Sequence, residues 1–138
     1  MSDLVRFSVA IEKSLFAKLE KLVVDGQYHN RSEFLRDLVR NHLVEREWQS
    51  NKVLLGTIIL LYDHHTAGLS EKLTHQQHHF SGMVLATTHL HLDNHLCAEM
   101  IMVRGRGKDI KALTDLLHRE KGVLHARLAT TTTGSNLR

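Results

Sequence analysis

Apolar and polar positions alternate strictly from Leu4 to Ile11, with Val5, Phe7, Val9 and Ile11 on one face and Arg6, Ser8 and Ala10 on the other. That period of two predicts a strand. From Glu12 to Val24 the spacing becomes helical, with Leu15, Leu19, Leu22 and Val23 as the apolar stripe and Gly26 as the expected stop. A second helix opens at Asn30-Arg31-Ser32-Glu33, where Asn30 can cap and Glu33 can reach back to it. Its stripe is Phe34, Leu35, Leu38 and Val39. Residues 42–52 are polar and charged around Trp48, which predicts a frayed helix end followed by a short linker.

Val53 to Tyr62 is β-branched and apolar, the pattern of a buried central strand. A helix is expected over 63–80, with Leu69, Leu73 and Gln76 or Gln77 along one side. Two strands follow, Val84 to Leu92 and Cys97 to Val103, joined by Asp93-Asn94-His95. Gly105-Arg106-Gly107 then turns the chain into a helix from Lys108 to Glu120, and Val123 to Thr130 reads as a last strand. The tail from about Thr130 is rich in Thr, Ser, Asn and Gly and is expected to be loose. The predicted class is α+β: an N-terminal β-α-α unit over 1–48, a linker at 49–52, and a ferredoxin-like (ACT-type) βαββαβ domain over 53–138.

One strand and two amphipathic helices cannot close a core alone, because a single strand leaves both edges unpaired. A dimer solves this by pairing two copies of the strand as an antiparallel ribbon that presents Arg6, Ser8 and Ala10 outward. Such a ribbon fits the DNA major groove, where Arg reads guanine and Ser reads several base edges. Backbone N–H groups at Asn30, Arg31 and Ser32 can meet a phosphate. The competing reading makes the same side chains the solvated face of an edge strand. The strand–helix–helix order, the Gly26-Gln27-Tyr28 turn and the Asn30-Arg31-Ser32-Glu33 entry resemble the ribbon-helix-helix DNA-binding domains. Ala10 departs from that pattern, since it can touch a thymine methyl but cannot hydrogen-bond a base.

Composition narrows the partners. The net charge is +3, and residues 1–48 balance eight Lys/Arg against eight Asp/Glu, so DNA binding must come from the placement of charge rather than its total. No apolar run approaches a membrane span, no export signal is visible, and the single cysteine fits a reducing cytoplasm.

Eight of the twelve histidines fall between His64 and His95. In a strand His89 and His91 project to the same face, and with Asn94 at the hairpin tip Cys97 falls opposite His91. Three nitrogen and sulfur donors then converge, the outline of a metal site. Taken singly, each has a plainer reading, the cysteine as a small buried hydrophobe and the histidines as surface residues. Gly105-x-Gly107 lacks the rest of a phosphate cradle. A Cys97–His91 thiol–imidazole pair lacks an orienting group and a cleft, so no enzyme is expected.

The ribbon-helix-helix pattern, the short linker and a βαββαβ domain carrying His-x-His-x5-Cys together resemble the nickel-responsive repressors, the NikR family, to about Thr130. The resemblance implies a nickel-dependent repressor of nickel-uptake or nickel-enzyme genes, a cytoplasmic homotetramer built as a dimer of dimers on a palindromic operator in double-stranded DNA. It implies one Ni2+ per subunit, held by His89, His91 and Cys97 with His78 from a neighbouring subunit. Glu99 and Gln77 become supporting partners, and Glu33 with Asp37 matches a secondary cation site. Thiolate and imidazole donors suit several late first-row metals, so the choice of nickel over copper, zinc or cobalt rests on the likeness. Two other classes stay open: a regulator sensing another metal or a small molecule, and a metal-storage or redox protein whose first domain only dimerises.

Overall fold

The computed structural model describes residues 3–138. The chain forms two compact units that divide between Asn41 and His42.

In the first unit, α1 (Lys13–Asp25) and the start of α2 (Arg31–Gln49) match the two predicted apolar stripes. The helix α1 ends differently from expectation. Gly26 keeps a right-handed conformation (φ −80°), and Gln27 takes the left-handed one (φ 58°). The glycine is required by space instead, because a Cβ there would lie 2.8 Å from the Tyr28 ring. Asn30 caps α2 as predicted, its Oδ1 accepting the Glu33 N–H at 2.9 Å. Tyr28 packs edge-on against Phe34, with ring centroids 5.2 Å apart, and donates its hydroxyl to Asp37 at 2.7 Å.

The strand expected over Leu4 to Ile11 joins no ladder in the single chain. Phe7 and Val9 are 70% and 64% exposed, and Leu15, Leu22, Leu38 and Val39 are exposed too. The physical reason is the one the sequence anticipates: among the described residues of this unit no second strand offers a pairing edge.

In the second unit, β1 (Val53–Asp63), α3 (Leu69–His79), β2 (Val84–His91), β3 (Leu96–Arg106), α4 (Gly107–His118) and β4 (Val123–Thr131) give the predicted βαββαβ order. The sheet runs β2-β3-β1-β4 with every pair antiparallel. Leu54, Ile58, Leu60 and Tyr62 of β1 pack with Cys97, Ile101 and Val103 of β3 against Leu69 and Leu73 of α3 and Ile110, Leu113 and Leu117 of α4. Only this face of β1 is fully buried, and Ile59 on the other is 38% exposed. A continuous apolar run predicted burial on both faces, and a single chain covers one.

Three boundaries depart from the sequence reading. The helix expected from Asp63 starts only at Leu69, because Asp63 Oδ1 accepts the His65 N–H at 2.9 Å and holds the chain in a turn. The second helix does not fray after His42. It continues to Gln49, and Trp48 is buried with its Nε1 donating to the Thr131 carbonyl at 2.9 Å. The tail is anchored past Thr130, since Thr132 is buried and donates its hydroxyl to the buried Glu47 carboxylate at 2.6 Å.

Candidate metal centre

Asp93 builds the hairpin between β2 and β3. Its Oδ1 accepts the N–H groups of His95 (2.7 Å) and Leu96 (2.8 Å), a local alternative to ladder bonds that closes a tight polar tip. Those bonds, the His95 one first, hold the Asp93 carboxyl below its usual range. The resulting register pairs His91 with Cys97 and His89 with Glu99. Cys97 Sγ then lies 3.2 Å from His91 Nδ1.

The third donor beside them is His64. One ligand atom each from His64, His91 and Cys97 lies within 4.8 Å of the others. His89 sits outside this group, its ring 5.2 Å from that of His91 and its Nε2 3.5 Å from the Tyr62 hydroxyl. His78 is exposed in the last turn of α3 and also stands outside it. The signal for His64 lies in register rather than motif. Tyr62 pairs with Cys97 and Asp63 with Leu96, so the residue just past β1 arrives at the hairpin tip, where its N–H meets the His95 carbonyl at 2.9 Å.

Burial, and after it the charges of Glu99, Asp63 and Asp93, pushes the Cys97 thiol above its ordinary pKa. Tyr62 is pushed up to about 12, by burial first and then by the Glu99 and Cys97 charges. Beneath the donors, the buried Glu99 accepts the Gln77 amide at 3.0 Å, and Thr87 donates to Gln77 Oε1 at 3.2 Å. Gln77 thereby joins α3 to both hairpin strands.

In the first unit, Arg6, Ser8 and Ala10 are exposed on the extended segment. Arg6 lines an open hollow of about 330 Å³ together with Phe7, Asn30, Ser32 and Arg36. Arg31 pairs with Glu20 and lies over the Phe16 ring, 5.1 Å from its centroid. Glu33 and Asp37 line a second hollow with Tyr28, Arg36 and Arg40, where Asp37 already holds the Tyr28 hydroxyl and lies 3.8 Å from Arg40 Nη1.

Fold and donors define a class of protein: a ribbon-helix-helix unit followed by a ferredoxin-like domain with clustered imidazole and thiol groups. Residues 5–46 match the family described as ribbon-helix-helix protein, copG family, and residues 55–131 match the NikR C terminal nickel binding domain. The chain belongs to the family of nickel-responsive regulators. It is 46% identical over the full length of both chains to a relative from Solibacter usitatus named as a nickel-responsive regulator. A relative of the same name from Geobacter sulfurreducens is 43% identical over 99% of each chain. An uncharacterized protein of Thermotoga maritima shares the fold, with a TM-score of 0.53 and 12% identity over 59% of this chain and 100% of that one. Among the described residues no helix is long and apolar enough to cross a membrane.

Proposed function

We propose that the protein is a nickel-dependent repressor that acts in the cytoplasm as a homotetramer, a dimer of dimers, on a palindromic operator. The observation that carries this reading is His91 facing Cys97 across the hairpin, with Sγ 3.2 Å from Nδ1. A thiol and an imidazole at that separation fit a late first-row divalent metal. In the reading that joins chains, His89, His91 and Cys97 hold one nickel per subunit together with His78 of the partner subunit. The exposure of His78 at the end of α3 supports it. The proximity of His64 favours a second reading, in which one chain closes the site on His64, His91 and Cys97.

Nickel(II) supplies a centre that binds thiolate sulfur and imidazole nitrogen together. The residues of the chain do the rest. Cys97 gives up its proton to become a ligand. Glu99 and Thr87 hold Gln77, so the helix bearing His78 is fixed to the strands bearing the other donors. Arg6, Ser8 and Ala10 face the base edges once two chains pair their extended segments, and the N-terminus of α2 meets phosphate. By linkage, DNA raises metal affinity by the factor that metal raises DNA affinity.

The test is an operator titration at fixed salt with nickel, copper, zinc and cobalt. Nickel is expected to strengthen specific binding. Equal operator affinity with and without nickel overturns the proposal, and a stronger response to another metal overturns the choice of nickel.

A further inference from the structure

The helix α3 carries two histidines that the hairpin site does not use. His75 and His79 stand one turn apart, both exposed, with ring centroids 6.0 Å apart and planes tilted by 40°. They are exposed, whereas Leu69 and Leu73 of the same helix are buried and Gln77 reaches Glu99. Side chains four apart on a helix stack on one face. Paired histidines at that spacing are the arrangement by which a helix grips a metal with two imidazoles. One turn earlier, Glu71 lines an open hollow of about 400 Å³ together with His75 and His78. It places a carboxylate on the same exposed stripe, where it raises the local concentration of cations.

We propose that His75 and His79 form a second metal site, separate from the Cys97 centre, that takes a zinc, nickel or copper ion through two imidazoles with water completing its coordination. Imidazole nitrogen suits all three of these metals. The absence of a thiolate makes the site weaker than the hairpin centre and silent in sulfur-to-metal absorption. Its position gives it a consequence. An ion held by His75 and His79 would span the turn that contains Gln77 and His78, so occupancy would hold in helical form the stretch that ties α3 to Glu99. A ligand that binds only the folded helix stabilises it by mass action.

The experiment loads the full chain with nickel until the sulfur-to-metal absorption saturates, then titrates zinc by calorimetry. The expected result is a further equivalent of zinc per chain that leaves the absorption unchanged. It is lost in both His75→Ala and His79→Ala and kept in His118→Ala, a control on the exposed last turn of α4. These residues are exposed, so the variants fold, and unchanged circular dichroism checks this. A further equivalent that survives both alanine variants, or no further equivalent in the unaltered chain, overturns the proposal. The sulfur absorption reports the Cys97 centre separately, so failure of one site is read apart from failure of the other.

Discussion

Cys97 and His91 face each other across the paired strands β2 and β3, with Sγ 3.2 Å from Nδ1. The thiol is buried at the foot of the pair while the imidazole is exposed at its rim. One donor is thus fixed by packing and the other is free to turn toward an ion. Nickel bound here is expected to show sulfur-to-metal charge-transfer absorption that Cys97→Ser removes. An unchanged spectrum in that variant makes the cysteine a packing residue.

The pH dependence has a definite sign. Burial and neighbouring carboxylates raise the Cys97 thiol, so it is protonated when the site is empty near neutrality and must lose that proton to bind. Metal affinity should therefore fall as pH falls, by about tenfold per pH unit for each proton released. Competition against a chelator of known pH behaviour measures this. A flat profile between pH 8 and pH 6 contradicts thiolate ligation.

Gln77 donates its amide to the buried Glu99 carboxylate at 3.0 Å and so ties α3 to the hairpin, while the Tyr62 hydroxyl also meets that carboxylate. Gln77→Ala should cost about 1 kcal/mol in stability, the usual net worth of one hydrogen bond, because Glu99 keeps Tyr62 as a partner. Urea unfolding of the metal-free protein reads it. Stability within 0.5 kcal/mol of the unaltered chain, roughly the scatter of surface substitutions, argues that water replaces the amide.

The sequence made some of this legible and hid the rest for physical reasons. Alternation and the Asp93-Asn94 turn gave the hairpin its register, so His91 opposite Cys97 could be foreseen. Helical spacing foresaw Leu69 and Leu73 as core. His64 was hidden because it belongs to no motif and reaches the site only through the pairing of β1 with β3. The anchoring of the tail was hidden likewise, since Thr132 and Glu47 are polar residues 85 positions apart whose burial depends on each other. Local composition reads such residues as loose. The N-terminal segment shows the opposite case: its alternation is plain, but among the described residues it joins no ladder.

Thr132→Val tests that hidden clasp. It keeps the shape and removes the hydroxyl that Glu47 accepts at 2.6 Å, leaving a buried carboxylate short of a donor. The expected cost is about 1–3 kcal/mol, with faster proteolysis of the tail after Thr131. Wild-type stability and cleavage would mean that the Trp48 bond to the Thr131 carbonyl suffices alone.

Under the proposed function, Arg6 belongs to the face that reads DNA. Arg6→Ala should cost about 1–3 kcal/mol in specific operator binding, with metal stoichiometry unchanged. Unaltered operator affinity sinks readout by the ribbon.

Whether metal joins two chains is the centre of the account, and mixing subunits tests it most directly. Chains carrying His78→Ala are dissociated and reassembled with chains carrying Cys97→Ala. Neither variant alone should give the nickel absorption of the complete donor set. In a mixed assembly the His78→Ala chain keeps the hairpin of His89, His91 and Cys97, and its neighbour supplies His78, so one intact site re-forms. The account predicts that the absorption returns on mixing. Its absence from assemblies shown by mass spectrometry to contain both chains would contradict a shared site and leave His64, His91 and Cys97 as a centre closed within one chain.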